Sequence, residues 1–183
     1  KDRFKEAGLE EAPVTWDDLK ADAKALTGNG SYGYSCPLDQ WYYMSLVMNA
    51  GGTIFNETED GIGFAGDPGT KPLYLPSGQD YNSSEACRNA FAGGTAAMIQ
   101  QSSAQLKGLE KTCEFEVGVG AVPQDTTLSY PAGGSNLLMF KGHSEEEEKA
   151  GWEFLKYMTN TENAVRWANG TGYLPTRQSC IDS

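Results

Sequence analysis

The fold class is decided by the stretch Glu85-Ala-Cys-Arg-Asn-Ala-Phe-Ala-Gly-Gly-Thr-Ala-Ala-Met-Ile99. Its first half predicts a helix, and the pair Gly93-Gly94 ends that helix. The apolar run Thr95–Ile99 has the length of a strand, and Ser102 or Ser103 is a suitable N-cap for the helix that follows. The alternation of helix, strand and helix predicts an α/β domain.

The same alternation continues on the N-terminal side of this stretch. Thr15 is the predicted N-cap of a helix over Trp16–Leu26, and a strand is predicted over Ser31–Cys36. Asp39 then caps an aromatic helix from Gln40 to about Ala50. A hairpin or turn around Asp60-Gly61 and a Gly/Pro-rich irregular segment separate this half from the deciding stretch.

The C-terminal side adds further strands and helices. Phe115–Val122 and Asn136–Phe140 are predicted strands, because both are short, apolar and bounded by turn residues. Ser144 and Glu147 form a capping box that opens a helix to about Tyr157, and Thr161 caps a last helix. The whole chain is therefore predicted to be one α/β lobe with a central mixed sheet flanked by helices.

Composition and charge limit the classes of partner. The chain has 183 residues and a formal net charge of −11, which repels phosphate backbones and anionic lipid headgroups. No run approaches the roughly 20 apolar residues of a membrane-spanning helix, and the first residues do not resemble a signal peptide. We therefore expect a soluble chain with no nucleic-acid partner and no membrane insertion.

The cysteines are interpreted as disulfide residues. Cys36, Cys87, Cys113 and Cys180 lie far apart and lack the C-x-x-C spacing of metal ligands. Four cysteines allow three connectivities, of which the pairing of Cys87 with Cys113 and of Cys36 with Cys180 is preferred, the second pair by elimination. Buried free thiols are the alternative. Disulfides would place the protein in an oxidising compartment.

The sequence contains no convincing catalytic or cofactor motif. Gly118-Val-Gly120 lacks the third glycine of a dinucleotide loop, and Asn56–Asp67 lacks the bidentate glutamate of a calcium loop. The single histidine, His143, lies in a predicted turn, and no nucleophile elbow is present. We therefore predict a protein without enzymatic activity, cofactor or bound metal.

Aromatic and small polar residues cluster at the predicted ends of helices and strands. Loops at the carboxyl ends of parallel strands commonly bind ligands. A sugar or polyol suits this mixture, because its C–H faces stack on rings and its hydroxyl groups need donors and acceptors. The candidate ligand-binding residues are Asp39, Gln40, Trp41, Ser102, Gly134, Ser135, Tyr173 and Arg177.

The ligand itself is predicted to be neutral or weakly charged. The chain contains four arginines, and Arg177 is the one placed next to the candidate residues. A bidentate phosphate clamp is therefore barely available, and the negative net charge opposes anions as well.

Seven segments spread along the chain carry a resemblance to a known family. They are Phe4-Lys-Glu-Ala-Gly-Leu9, Val14-Thr-Trp-Asp-Asp-Leu19, Ala90-Phe-Ala-Gly-Gly-Thr-Ala-Ala-Met98 with Ser102-Ser103, Val117-Gly-Val-Gly-Ala-Val-Pro123, Gly133-Gly-Ser135, Ala150-Gly-Trp-Glu-Phe-Leu155 and Thr171-Gly-Tyr-Leu-Pro-Thr-Arg177. In this order they resemble the extracellular solute-binding proteins that deliver sugars and polyols to ABC importers, in particular the branch containing the glycerol-3-phosphate-binding proteins.

The resemblance implies a type II periplasmic binding-protein fold, whose two lobes close on a ligand. Residues 1–183 would form a single lobe, the second one, within a longer chain. The face of this lobe would be lined by Trp41, Ser102, Gly134, Ser135 and Tyr173. The implied location is extracytoplasmic, whether periplasmic, cell-surface or secreted, and the implied partners are a sugar or polyol and a membrane transporter or the remainder of the parent chain.

A second hypothesis is that the same lobe belongs to an extracellular sensor or interaction domain of a larger surface or secreted protein. Four N-glycosylation sequons, at Asn29, Asn56, Asn82 and Asn169, motivate this reading. A chain rich in Asn, Ser, Thr and Gly also produces such triplets by chance, so the sequons do not decide between the two readings.

Overall fold

The structure is a computed structural model that describes residues 1–58, 61–64 and 83–182. The chain divides into two compact units. The first unit comprises Lys1–Gln101 and Thr112–Ala132, and the second comprises Ser102–Lys111 and Gly133–Ser183. Each unit is thus built from two separate segments of the chain.

Helices account for most of the regular structure. Their bounds are α1 Asp2–Glu6, α2 Trp16–Leu26, α3 Gln40–Asn49, α4 Ser84–Ala92, α5 Leu106–Thr112, α6 Glu145–Met158, α7 Thr161–Thr171 and α8 Gln178–Ile181, with a short 3-10 helix at Ser103–Gln105. The strands are β1 Tyr32–Ser35, β2 Phe55–Thr58, β3 Gly61–Phe64 and β4 Ala96–Ile99. Among the described residues, no helix is long and apolar enough to cross a membrane.

Two parallel strands lie at the centre of the first unit. β1 pairs with β4 in the register Tyr32↔Ala96 and Ser35↔Ile99. Each strand follows a helix that packs beside it, α2 for β1 and α4 for β4. Phe91 and Ala96 are buried here, and the ring of Phe91 meets Phe115 edge to face at 5.3 Å. The predicted helix and strand of the deciding stretch are therefore confirmed as an α/β arrangement.

Local signals at helix ends predicted several boundaries correctly. Thr15 and Asp18 form a capping box on α2, and Ser144 and Glu147 form one on α6. The hydrogen bonds from Thr15 hold the pKa of Asp18 below its usual value. For α7 the predicted cap was wrong by one residue, because Asn160 accepts the bond from Asn163 N. The antiparallel pair β2–β3 confirms the predicted hairpin, while its turn residues 59 and 60 lie outside the described residues.

Two predicted strands, Phe115–Val122 and Asn136–Phe140, are wrong: neither segment is a strand. The first is followed by an isolated bridge between Thr15 and Gln124, so no ladder extends along it. The second makes no backbone hydrogen bond to the part of the chain that the structure describes. A strand needs a neighbouring strand that pairs with it, and no described segment forms a ladder with either of these two.

The buried amide of Asn49 holds the end of α3 to the loop at residues 126–129. Asn49 is fully buried; its Nδ2 donates to Ser45 O at 2.9 Å and to Ser129 O, and its Oδ1 accepts from Ser129 N at 3.1 Å. Its backbone carbonyl accepts from the amides of Thr126 and Thr127. This residue therefore supplies the hydrogen bonds that a loop without a sheet partner needs.

None of the four cysteines forms a disulfide in the structure, so the predicted pairs Cys87–Cys113 and Cys36–Cys180 are absent from it. The Cys87 sulfur is directed towards β1, where it lies 3.2 Å from Ser35 Oγ. The Cys180 thiol faces the carbonyl of Thr161 at 3.8 Å. Non-reducing peptide mapping is the measurement that decides whether the protein forms these pairs in an oxidising compartment.

The packing of α2 on β1 depends on a glycine. A Cβ placed on the buried Gly33 would lie 1.9 Å from the carbonyl oxygen of Ala23, which is backbone and cannot rotate away. Only a residue without a side chain allows this approach of helix to strand.

Replacing Gly33 by alanine is therefore expected to destabilise the protein by about 3 kcal/mol or more, since the helix must shift away from the strand. Gly28→Ala is the matched control, because nothing lies within 4 Å of a Cβ at that position. The control is expected to change the free energy of unfolding by less than about 0.5 kcal/mol. Urea unfolding measures both, and equal effects of the two variants would contradict the close-approach argument.

Candidate functional site

The predicted cap of α3 is confirmed, and it determines where Trp41 lies. Asp39 Oδ1 accepts hydrogen bonds from Trp41 N at 2.9 Å and from Tyr42 N at 3.3 Å. Gln40 is exposed at the first position of the helix. The Trp41 side chain is 39% exposed, whereas that of Tyr42 is only 7% exposed. Trp41 therefore presents a large ring to solvent at the start of a firmly capped helix.

This helix follows the carboxyl end of β1, where the carboxyl end of β4 also lies. Because Ser35 is paired with Ile99, the next residues of the two strands, Cys36 and Gln100, come together. Gln100 N donates to Ser35 O at 3.2 Å. Ligands of open α/β sheets bind outside this edge of parallel strands. Asp39, Gln40 and Trp41 are therefore placed as the sequence predicted, after the carboxyl end of a parallel strand.

A polar network fills the space behind this edge. Tyr34 OH donates to Gln100 Oε1 at 3.0 Å, and Gln100 Nε2 donates to Ser45 Oγ at 3.4 Å. Cys36 Sγ lies 3.6 Å from the same Gln100 oxygen. Burial raises the pKa of both Tyr34 and Cys36, so that both groups stay protonated and uncharged at neutral pH.

Sequence reasoning missed these supporting residues. Tyr34, Gln100 and Gln101 are not among the residues that the sequence analysis identifies as candidates. The available signal was the position of the two glutamines Gln100 and Gln101 directly after the apolar run Thr95–Ile99. Ligands bind at the carboxyl ends of parallel strands, which is where these two side chains lie.

In the second unit, the structure brings Ser102 and Tyr173 into the same neighbourhood. Ser102 caps the 3-10 helix, with its Oγ accepting from Ala104 N at 3.4 Å. Gly172 ends α7 with φ of 88°, and a Cβ on it would lie 2.7 Å from Ser103 O. Gly172, which precedes Tyr173, therefore packs against Ser103, which follows Ser102.

The Tyr173 ring forms an aromatic pair with Trp167. The two ring centroids lie 6.4 Å apart with an angle of 32° between the planes. Tyr173 is 36% exposed, and Trp167 is more exposed still. Two rings with exposed area are suited to the C–H face of a sugar or polyol.

Gly134, Ser135 and Arg177 are the remaining predicted site residues of the second unit. Gly134 and Ser135 are exposed, and no atom lies within 4 Å of a Cβ built on Gly134. Arg177 donates from Nη2 to Thr159 Oγ1 at 3.3 Å, so its guanidinium is tied to the end of α6. The binding role of these three residues stays a prediction.

Two further features of the described residues concern metal binding and a surface cavity. Among residues 1–58, 61–64 and 83–182, no group of histidine, cysteine or carboxylate side chains could hold a metal ion. An open depression of about 440 Å³ lies beside the end of α4, lined by residues 92–94 and by Thr112, Glu114 and Phe115. It contains none of the predicted site residues.

The left-handed conformation of Gly172 provides a test of the contact between Gly172 and the 3-10 helix. Gly172→Ala is expected to destabilise the second unit by about 2–4 kcal/mol, from the positive φ and the clash with Ser103 O combined. Gly170→Ala is the control, since a Cβ there meets nothing within 4 Å and the residue lies inside α7. The control is expected to stabilise by about 0.5 kcal/mol.

Thermal unfolding and hydrogen exchange at the amides of α7 measure the two effects. A Gly172→Ala protein that unfolds like the Gly170→Ala protein would contradict the close contact.

Comparisons with known proteins identify the family. The sequence profile described as bacterial extracellular solute-binding protein matches residues 1–183. The sn-glycerol-3-phosphate-binding periplasmic protein UgpB of Escherichia coli K12 is 27% identical and aligns with 100% of this chain and 47% of its own length. UgpB of Yersinia pestis bv. Antiqua is 28% identical over 96% of this chain and 45% of its own length.

Solved structures agree on the fold. UgpB of Mycobacterium tuberculosis, in complex with glycerophosphocholine, superposes with a TM-score of 0.70 at 23% identity, over 99% of this chain and 50% of that one. Maltose-bound MalE3 of T. maritima superposes with a TM-score of 0.64 at 20% identity, over 100% of this chain and 52% of that one. The chain thus has the type II binding-protein fold and spans about half the length of these relatives. Residues 1–183 belong to the bacterial extracellular solute-binding proteins.

Proposed function

We propose that the chain is one lobe of an extracytoplasmic receptor that binds a sugar or polyol and delivers it to an ABC importer. The observation that carries the proposal is the exposed Trp41 ring on a capped helix at the carboxyl edge of β1 and β4. This is the edge at which α/β folds bind ligands. Membership of a family of extracellular solute-binding proteins supports the same conclusion.

The chemistry of the exposed groups fits a polyhydroxylated ligand. Trp41 and Tyr173 offer ring faces to C–H groups, and each has a polar end that can stay in water. Gln40 and Ser102 supply side-chain donors and acceptors for hydroxyl groups. The carboxylate of Asp39 uses Oδ1 for the cap of α3, which leaves Oδ2 to accept a hydrogen bond from a hydroxyl.

Binding without a chemical step is part of the proposal. The half-buried titratable groups at the candidate site, Tyr34 and Cys36, are uncharged at neutral pH and donate to Gln100. Neither is prepared as a nucleophile, because an activated thiol or phenol has a lowered pKa. The E. coli relative is named as a periplasmic binding protein, which supports a role in transport.

The second half of the binding cleft belongs to polypeptide outside residues 1–183. The relatives are about twice as long as the portion that aligns with this chain. One lobe offers a ligand only part of its contacts and none of the closure that removes water. We therefore assign tight binding to the two-lobed receptor, with an importer as its membrane partner.

A neutral or weakly charged ligand is expected to bind more tightly than a phosphate ester. The net charge of −11 disfavours anions, and Arg177 is engaged with Thr159. Calorimetric titration of the receptor that contains this lobe compares maltose and tagatose with sn-glycerol 3-phosphate and glycerophosphocholine. Tighter, salt-sensitive binding of glycerol phosphate would contradict the expectation.

Trp41→Ala is expected to weaken sugar binding by about 1–3 kcal/mol, the usual effect of removing a well-packed aromatic contact. The melting temperature should change little, since the ring is partly exposed. Trp152→Ala is the matched control, because Trp152 is 55% exposed on α6 and is not among the candidate residues. If Trp41→Ala instead destabilised the fold by about 3–5 kcal/mol, as is typical of a core truncation, the ring would be a packing residue.

A further inference from the structure

We propose that Gln101 is a positioning residue for the candidate site: it holds Tyr42 in the interior and thereby sets the outward direction of Trp41. The inference rests on the proposed function, because Trp41 matters only if a ligand binds there. Gln101 is not among the candidate ligand residues, and its own role is to fix a neighbour.

The side-chain amide of Gln101 joins three elements of the first unit. Its Oε1 accepts from Tyr42 OH of α3 at 3.3 Å and from Ser84 Oγ of α4 at 2.9 Å. Its Nε2 donates to Ser84 O at 3.0 Å. Gln101 itself is the second residue after β4, so one amide ties the end of a strand to the starts of two helices.

Arg88 completes this arrangement. Its Nη1 donates to Ser84 Oγ at 2.8 Å from one turn further along α4. The Ser84 hydroxyl therefore accepts from Arg88 and uses its own hydrogen for Gln101 Oε1, which fixes the direction of each bond. A network whose donors and acceptors are all assigned holds its members in one orientation.

Tyr42 needs such a partner because it is 7% exposed. Loss of a hydrogen bond from a buried phenol costs about 1–3 kcal/mol, so the bond to Gln101 stabilises the buried orientation of Tyr42. Successive side chains on a helix point about 100° apart. With Tyr42 directed inward, Trp41 is directed away from the interior, in agreement with its 39% exposure.

Gln101 also fixes the chain that leads into Ser102. Two hydrogen bonds connect its side chain to Ser84, so the backbone of Gln101 is held against the first turn of α4. The next residue along the chain, Ser102, caps the 3-10 helix. The side-chain amide of Gln101 thus bonds to Tyr42, the neighbour in sequence of Trp41, while Gln101 is itself the neighbour in sequence of Ser102.

The neighbouring Gln100 provides a matched control. It is also half-buried, and its side chain bonds to Tyr34 and Ser45 rather than to Tyr42. Loss of either glutamine removes a comparable number of hydrogen bonds. Of the two glutamines, only Gln101 bonds to the tyrosine next to Trp41.

The experiment follows the emission of Trp41, taken as the difference between each protein and its Trp41→Phe counterpart, together with acrylamide quenching. Gln101→Ala is expected to shift the Trp41 emission and raise its quenching constant, and to weaken maltose binding by the receptor about tenfold. Gln100→Ala should lower the melting temperature similarly but leave the emission and quenching of Trp41 unchanged. Tyr42→Phe should change the emission in the same direction as Gln101→Ala, and the double variant should not add to it.

Each outcome decides the inference. Unchanged Trp41 emission in Gln101→Ala, or equal changes in Gln100→Ala, would overturn it, as would full additivity of Tyr42→Phe and Gln101→Ala. If Gln101→Ala does not fold, Tyr42→Phe carries the test, because it keeps both bonds between Gln101 and Ser84. If the unsubstituted receptor binds neither maltose nor sn-glycerol 3-phosphate, the proposed function fails, while the emission of Trp41 still decides the role of Gln101.

Discussion

The parallel pairing of β1 with β4 is the constraint on which the rest of the first unit depends. It joins Ser35 to Ile99, which are distant in sequence, and it leaves the residues after both strands at a single edge. A parallel pair needs a helix against each strand, and the fit of α2 on β1 requires the absence of a side chain at Gly33. The Asp39 cap, the Tyr34–Gln100 bond and the Gln101 network all lie at this edge because the two strands end together.

Helix ends were predictable because their signals are local. Thr15, Asp39 and Ser144 bond to amides two or three residues away, so a short window of sequence contains both partners. Strands are different, because their hydrogen bonds go to a segment that no local window contains. Phe115–Val122 and Asn136–Phe140 have the composition of strands but lack a ladder partner in the described chain, and composition alone could not reveal this.

The candidate site was predictable to a similar extent. Trp41 and Tyr173 were identified because each lies next to a cap or a glycine turn, and both are partly exposed. The contact of Gly172 with Ser103 O and the bond of Tyr42 to Gln101 join residues far apart in the sequence, so they required the fold. Candidate ligand-binding residues can be recognised in the sequence by their residue type. Residues that position them can be recognised only from their contacts in the folded structure.

The segment Asn136–Phe140 has a practical consequence for handling the protein. Leu138 and Phe140 are each 75% exposed, and the segment contains neither a charge nor a proline. Short apolar stretches with unpaired backbone groups are sites of intermolecular strand association and aggregation. When residues 1–183 are produced alone, the yield of monomer will therefore be governed by protein concentration and by whatever shields these five residues, rather than by the stability of the β1–β4 core.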